Sequence, residues 1–141
     1  MGCRRVTKVV VTLVPTLMAD FRNLHVWQKA NRLSVATAEV AETIRGSVSA
    51  TILRTQLLRA TFSIQANIAE GSSKRSDREF ARYIRIALGS STESANHLIL
   101  LHDLGTIDDA VFDSLNSNLD EVGKMLSGLE KRLSNPEGDP P

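Results

Sequence analysis

The sequence predicts an all-α fold, an up-down-up-down antiparallel four-helix bundle, on three observations. Beyond position 20 no run alternates apolar and polar residues long enough to make a strand; apolar residues recur at threes and fours instead. Glycines at 46, 71 and 105 interrupt that period and leave four segments. The connections between segments are short, and short connections make antiparallel neighbours.

The first helix is expected over about Leu24 to Arg45, where Trp27, Ala30, Leu33, Val40, Ala41 and Ile44 mark the apolar face. Gly46 is read as its C-cap, because glycine tolerates the left-handed conformation such caps adopt. Ser47 to Ser49 form a short turn. The second helix is expected over about Ala50 to Glu70, with Leu53, Leu57, Ala60, Ile64, Asn67 and Ile68 buried and Gly71 as the stop. Ser76-Asp77-Arg78-Glu79 has the S-x-x-E form of a capping box, in which the serine hydroxyl and the glutamate carboxylate each accept from an otherwise free backbone N–H. It sets the start of the third helix, which runs to about Leu104 and ends at Gly105. Asp108 is the N-cap of the fourth helix, with Asp109 near the positive end of its dipole. Phe112, Leu115, Leu119, Val122, Leu126, Leu129 and Leu133 then alternate spacings of three and four without a miss, a seam that favours shallow left-handed packing at about 20°.

The chain of 141 residues fits a single domain, placed at residues 20–134. Residues 1–19 are read as a leader outside the fold: a disordered extension, or residues ahead of a start at Met18. They resemble a weak signal peptide, with Arg4, Arg5 and Lys8 before the apolar run Val9 to Ala19, but Pro15 interrupts that run and it is too short to span a bilayer. Residues 135–141, NPEGDPP, cannot continue a helix and are expected to be disordered. Cys3, the one cysteine, cannot form an intrachain disulfide, so a reducing cytoplasm is the default and no membrane is expected.

The formal net charge is only +1, but it is unevenly spread. From Arg54 to Arg85 there are seven basic and three acidic residues; from Asp103 to Asp139 there are three basic and nine acidic. Arg75, Arg78, Arg82 and Arg85 fall at steps of 3, 4 and 3. At about 100° per residue they occupy a sector of roughly 80°, opposite the apolar set Phe80, Ile84, Ala87, Ser91, Ser94, Leu98 and Leu101. Lys74 heads this stripe, and Arg54 and Arg59 add charge on the preceding helix. Guanidinium groups suit bidentate phosphate contacts, and a basic stripe is the footprint expected of an RNA or DNA binder. The plainer reading is a solvated face, or one paired with the acidic fourth helix of another subunit; Arg82 can also pair with Glu79 on its own helix.

Tyr83, Ile86, Ser90, His97 and Leu100 form a second semi-apolar stripe off the core face, expected to meet another copy of the chain. Ala87, Gly89, Ser90, Ser91 and Ser94 are small enough for a neighbouring helix to come close, the matching surface being Ala60, Ser63 and Ala66. Glu93 and His97 are four apart with no second copy, so the paired Glu-x-x-His of a di-metal bundle is missing and no metal or other cofactor is expected. Asn67 and Glu70 are expected to lock the turn at Gly71, and Glu93 to pair with a nearby arginine. Nothing assembles a nucleophile, a base and an oxyanion donor, so no catalytic residue is named and the chain reads as a non-enzyme.

Three stretches, FRNLHVWQKA (21–30), QLLRATFSIQANIAEGSSKRSDREFARYIRIALGSSTE (56–93) and LDEVGKMLSGLEKRL (119–133), resemble the four helix bundle protein family, also called 23S rRNA intervening-sequence proteins because some are encoded within inserts of bacterial 23S rRNA genes. The resemblance spans positions 20 to 133. It implies a homopentameric ring or barrel without known enzymatic activity; some relatives bind nucleic acid and a reverse transcriptase. The matching positions are Trp27, Asn67, Glu70, Gly71, Glu79, Phe80, Gly89, Ser90 and Glu93, read as marks of fold and assembly. The chain departs from the family in lacking a proline between its first two helices, and another before NIAEG, where Gln65 and Ala66 stand. The second helix should therefore be straighter. The two functional expectations are a homo-oligomeric nucleic-acid binder and an assembly or adaptor module that recognises another protein.

Overall fold

The computed structural model describes residues 20–137, and these form a four-helix bundle. Helix α1 spans His25–Thr43, α2 Val48–Ser72, α3 Asp77–Asp103 and α4 Asp109–Ser134; no strand occurs among the described residues. Each helix packs on its two neighbours in the cycle α1–α2–α3–α4, and neither diagonal pair meets. The α2–α3 seam is the most extensive and the α1–α4 seam the least. The expectations for residues 1–19 and for 138–141 lie outside the described residues.

The apolar periodicity lands where it was expected. Leu33, Leu57, Ile64, Ile68, Ile84, Leu98, Leu101, Leu119, Val122 and Leu126 are all buried. Each such side chain contributes about 1.5–3 kcal/mol on burial, far above any single surface contact. Trp27 is half-buried against this core, and Phe21 meets its ring edge-on at 5.0 Å. Phe21 belongs to a short 3-10 turn, Phe21–Asn23, which the sequence reading did not anticipate. Asp20 caps that turn, accepting from the Arg22 backbone N–H at 3.0 Å and from its guanidinium at 2.7 Å.

Three helix starts rest on side-chain caps. Ser47 Oγ accepts from the Ala50 N–H at 3.2 Å, Ser76 Oγ from the Glu79 N–H at 3.2 Å, and Asp108 Oδ1 from the Val111 N–H at 2.8 Å. At Ser76 only the serine half of the capping box forms. Gly105 ends α3 as expected, with φ of 71°. Its N–H donates to the His102 carbonyl and that of Thr106 to the Leu101 carbonyl, each at 2.9 Å, the paired bonds of a Schellman motif.

Two of the expected glycine stops are corrected. Helix α1 ends at Thr43, where Ile44 turns extended, before the chain reaches Gly46. Gly46 has φ of 113° but serves the loop rather than the immediate cap. Gly71 does not stop α2 at all: it is helical and buried, and the helix runs on to Ser72. A Cβ there would sit 2.6 Å from Tyr83 Cβ and 2.8 Å from Phe80 Cδ2. Gly71 is a glycine because α3 crosses α2 in near-backbone contact at that point.

Candidate nucleic-acid interface

The turn between α2 and α3 carries the basic cluster, and its construction differs from the sequence expectation. Asn67 and Glu70 do not lock it through their side chains. The Asn67 amide donates back along α2 to the Ser63 carbonyl at 2.8 Å and to Ser63 Oγ at 3.0 Å, while the Glu70 side chain is exposed. The free carbonyls at the end of α2 are taken by serines instead: Ser72 Oγ donates to Ala69 O and Ser73 Oγ to Glu70 O, each at 2.7 Å. Phe80 and Tyr83, one turn into α3, close over Gly71.

Because α3 begins at Asp77, Arg75 stands in the connection with Lys74, and only Arg78, Arg82 and Arg85 form a helical stripe. All five cations are exposed. Arg85 is committed within the chain: its Nη1 lies 2.9 Å from Glu130 Oε1 on α4. That is the pairing with the acidic fourth helix foreseen between subunits, made inside one chain. Glu130 is held below the ordinary glutamate value, first by a hydrogen bond from Ser134 and then by Arg85. The expected Arg82–Glu79 pair does not form. Among the described residues Lys74, Arg75, Arg78 and Arg82 have no acidic partner within 4.0 Å. Lys74 Nζ lies 5.1 Å and Arg82 Cζ 5.9 Å from the centroid of the Tyr83 ring, over it. Arg78 and Arg85 also line an open hollow of about 350 Å³ together with Asp77, Ala81, Leu133, Ser134 and Pro136.

The remaining two arginines stand apart from this cluster. Arg54 lies about 27 Å along α2 from Ser72, at 1.5 Å per residue, and Arg59 about 20 Å. Arg54 is engaged at the opposite end of the bundle, donating from Nη1 to the Ile44 carbonyl at 3.0 Å, where it satisfies the end of α1. Arg59 is exposed and has no acidic partner within 4.0 Å among the described residues.

The second stripe divides in two. Ser90, expected to meet another chain, is buried and donates to Ser63 Oγ at 2.9 Å across the α2–α3 seam. Ala60, Ala87, Ser91 and Ser94 are buried too; Thr61 Oγ1 approaches Ser94 Oγ at 3.4 Å across the same seam, whereas Ser91 faces Gly123 of α4. Ala66, by contrast, is exposed. Tyr83 and His97 are half-buried, and His97 Nε2 lies 3.3 Å from Glu93 Oε1, so Glu93 meets histidine rather than an arginine. Ile86 and Leu100 are 43 % exposed, and Leu104 and Ile52 more so, which leaves these apolar side chains uncovered. Gly89 lies on the exposed side of α3, and a Cβ there would meet nothing within 4 Å.

Among the described residues no group of three or more His, Cys, Asp or Glu could hold a metal ion. No helix among them is long and apolar enough to cross a membrane.

The profile of the 23S rRNA-intervening sequence proteins matches residues 22–128, the whole bundle apart from the last turns of α4. The chain belongs to that family. A crystal structure of a protein of unknown function from the S23 ribosomal protein family of Bacteroides thetaiotaomicron VPI-5482 is similar, with 26 % identity and a TM-score of 0.69 over 75 % of this chain and 98 % of that one. No match was found among curated proteins. Family membership thus joins a bundle fold to a name drawn from rRNA genes, and neither description assigns an activity.

The sequence reading missed two things. One was the Glu130 partner of Arg85, which lies 45 residues away and left no local signal. The other was the cation pair over Tyr83; the adjacency Arg82-Tyr83 was visible, but the approach of Lys74 depends on how tightly the turn closes over Gly71.

Proposed function

We propose that this protein is a non-enzymatic, homo-oligomeric bundle, pentameric as the family resemblance implies, that binds RNA or DNA at the α2–α3 turn. One observation carries the reading: four exposed cations, Lys74, Arg75, Arg78 and Arg82, gather at one end of a hairpin, and among the described residues no carboxylate lies within 4.0 Å of them. Unpaired guanidinium groups offer fork-like donors to phosphate oxygens. Symmetry would repeat the cluster around a ring and turn a modest local charge into a broad basic surface. Arg85 contributes less, because Glu130 already holds it, and Arg54 is spent on the end of α1.

A second reading has its own support. Ile86, Leu100, Leu104, Ile52 and Phe62 are exposed apolar side chains that water solvates poorly, and they suit an assembly or adaptor role in which the chain covers a sister copy or a protein such as a reverse transcriptase. The two readings share the oligomer and differ in the ligand. Native mass spectrometry of the purified protein, alone and with a 20-nucleotide oligomer, separates them. The proposal expects a multimer of the 15.4 kDa chain that retains the oligomer. A monomer that binds nothing contradicts both readings, and a multimer indifferent to the oligomer leaves only the adaptor.

A further inference from the structure

We infer that the α2–α3 turn selects unpaired nucleic acid over duplex, with Tyr83 as the platform on which a base stacks. The inference rests on the phosphate-binding reading above and names the ligand class for that site. Tyr83 is the only tyrosine of the chain, and it stands at the centre of the basic cluster. Its Cβ is wedged against Gly71, so the ring has a fixed origin on the hairpin. The ring is half-buried rather than enclosed, and two cations, Lys74 and Arg82, lie over it at 5.1 and 5.9 Å. Arg75 follows Lys74 in the chain and Arg78 precedes Arg82 by one helical turn; both are exposed and, among the described residues, have no acidic partner within 4.0 Å.

An aromatic ring set among cations adds nothing to duplex binding. In a duplex every base is already stacked on its neighbours, and the backbone offers only phosphates, which cations alone satisfy. A single strand presents free base faces. Proteins that bind such strands without reading sequence combine a basic track for the phosphates with aromatic rings for the bases. Lys74 and Arg82 can leave the ring for a phosphate at small cost, since each is a long side chain held there by an exposed cation–π contact, which is weaker than a base stacked on the same ring. A guanidinium that stays offers a second flat surface. Neither base stacking nor phosphate contact uses the 2′-hydroxyl, so oligo-U and oligo-dT are expected to bind alike.

Binding of oligo-U, oligo-dT and a mixed-sequence duplex of equal phosphate number, measured at one salt concentration, tests the inference. The single strands are expected to bind about fivefold tighter than the duplex or better, the least that one stacked base confers. Tyr83→Leu is expected to bring the single strands down to the duplex level. Should that variant fold poorly, the wild type still decides: with a single tyrosine, its ring protons form one NMR signature, expected to move upfield with either single strand and to stay in place with duplex. Equal affinities and an unmoved tyrosine overturn the inference and leave phosphate binding standing. Preference for oligo-U alone overturns the claim that the sugar is not read. Binding of none of the three overturns the phosphate reading itself, and this inference with it.

Discussion

Two glycines, eighteen positions apart and both inside helices, sit in opposite surroundings. Gly71 lies where α3 presses closest on α2, and a Cβ there would overlap Tyr83 and Phe80. Gly89 lies on the open side of α3, where a Cβ would meet nothing. In a helix interior, as at Gly89, a glycine costs about 1 kcal/mol relative to alanine, from backbone entropy; at Gly71, one residue from the end of α2, the cost is smaller. At Gly71 that cost is offset by close packing that no larger residue permits. At Gly89 the chain itself gives no return. One end of the α2–α3 hairpin is therefore finished within the chain, while the face around Gly89, with Ile86 and Leu100, is left incomplete.

Substitutions can break this contrast. Gly71→Ala is expected to have the largest effect, a loss of about 1–3 kcal/mol from overpacking, because Tyr83 Cβ is too close to its backbone to swing aside. Chemical denaturation measures it, and an unchanged or raised midpoint would mean that α2 and α3 can slide apart freely. Ser76→Ala removes the hydroxyl that starts α3 at the same closed end and should cost ~1 kcal/mol by the same assay. Gly89→Ala should go the other way for the dissociated chain, a gain of about 0.5–1 kcal/mol, because nothing there opposes a methyl group. If a sister copy packs against that face, the same substitution weakens self-association in sedimentation, which sharpens the contrast further.

The smallest effect is one of pH. Glu130 has its folded value lowered from the ordinary 4.5, first by the Ser134 hydroxyl and then by Arg85. A carboxylate lowered on folding contributes stability above its unfolded value and loses it as pH falls through the folded one. The Glu130 contribution is thus complete at neutral pH and fades below about pH 4.5. Glu130→Gln should flatten that part of a stability-versus-pH curve, and curves of identical shape would remove the α3–α4 ion pair from the account.

How far the sequence announced all this depends on the residue. Ser76, Asp108 and Gly105 were legible because caps are local: one side chain or one left-handed residue, and the nearest backbone. The fourth-helix seam was legible because four buried and three half-buried positions repeat without a miss. Gly71 was misread because a glycine at the end of an apolar period looks the same whether it ends a helix or admits a neighbour; only the distance to Tyr83 distinguishes them. Ser90 was placed outside because α3 has two neighbours, so its buried arc is wider than one apolar stripe suggests. The arginines were found by spacing, yet spacing could not say that Arg85 meets Glu130 or that Arg54 caps α1; that Arg75 precedes the helix followed from the Ser76 cap rather than from spacing.

The claim at the centre is that the unpaired cations of the α2–α3 turn hold phosphate. Its most direct test is the salt dependence of oligonucleotide affinity for the wild type and for the Arg75, Arg78 and Arg82 triple substitution to glutamine. Each lost phosphate contact lowers the slope of log affinity against log salt by about 0.7 on a single strand, so the triple variant should bind more weakly, with a slope shallower by about 2. Arg85→Gln, whose guanidinium is already paired, should change it much less. Parallel slopes and equal affinities for wild type and triple variant would contradict the claim.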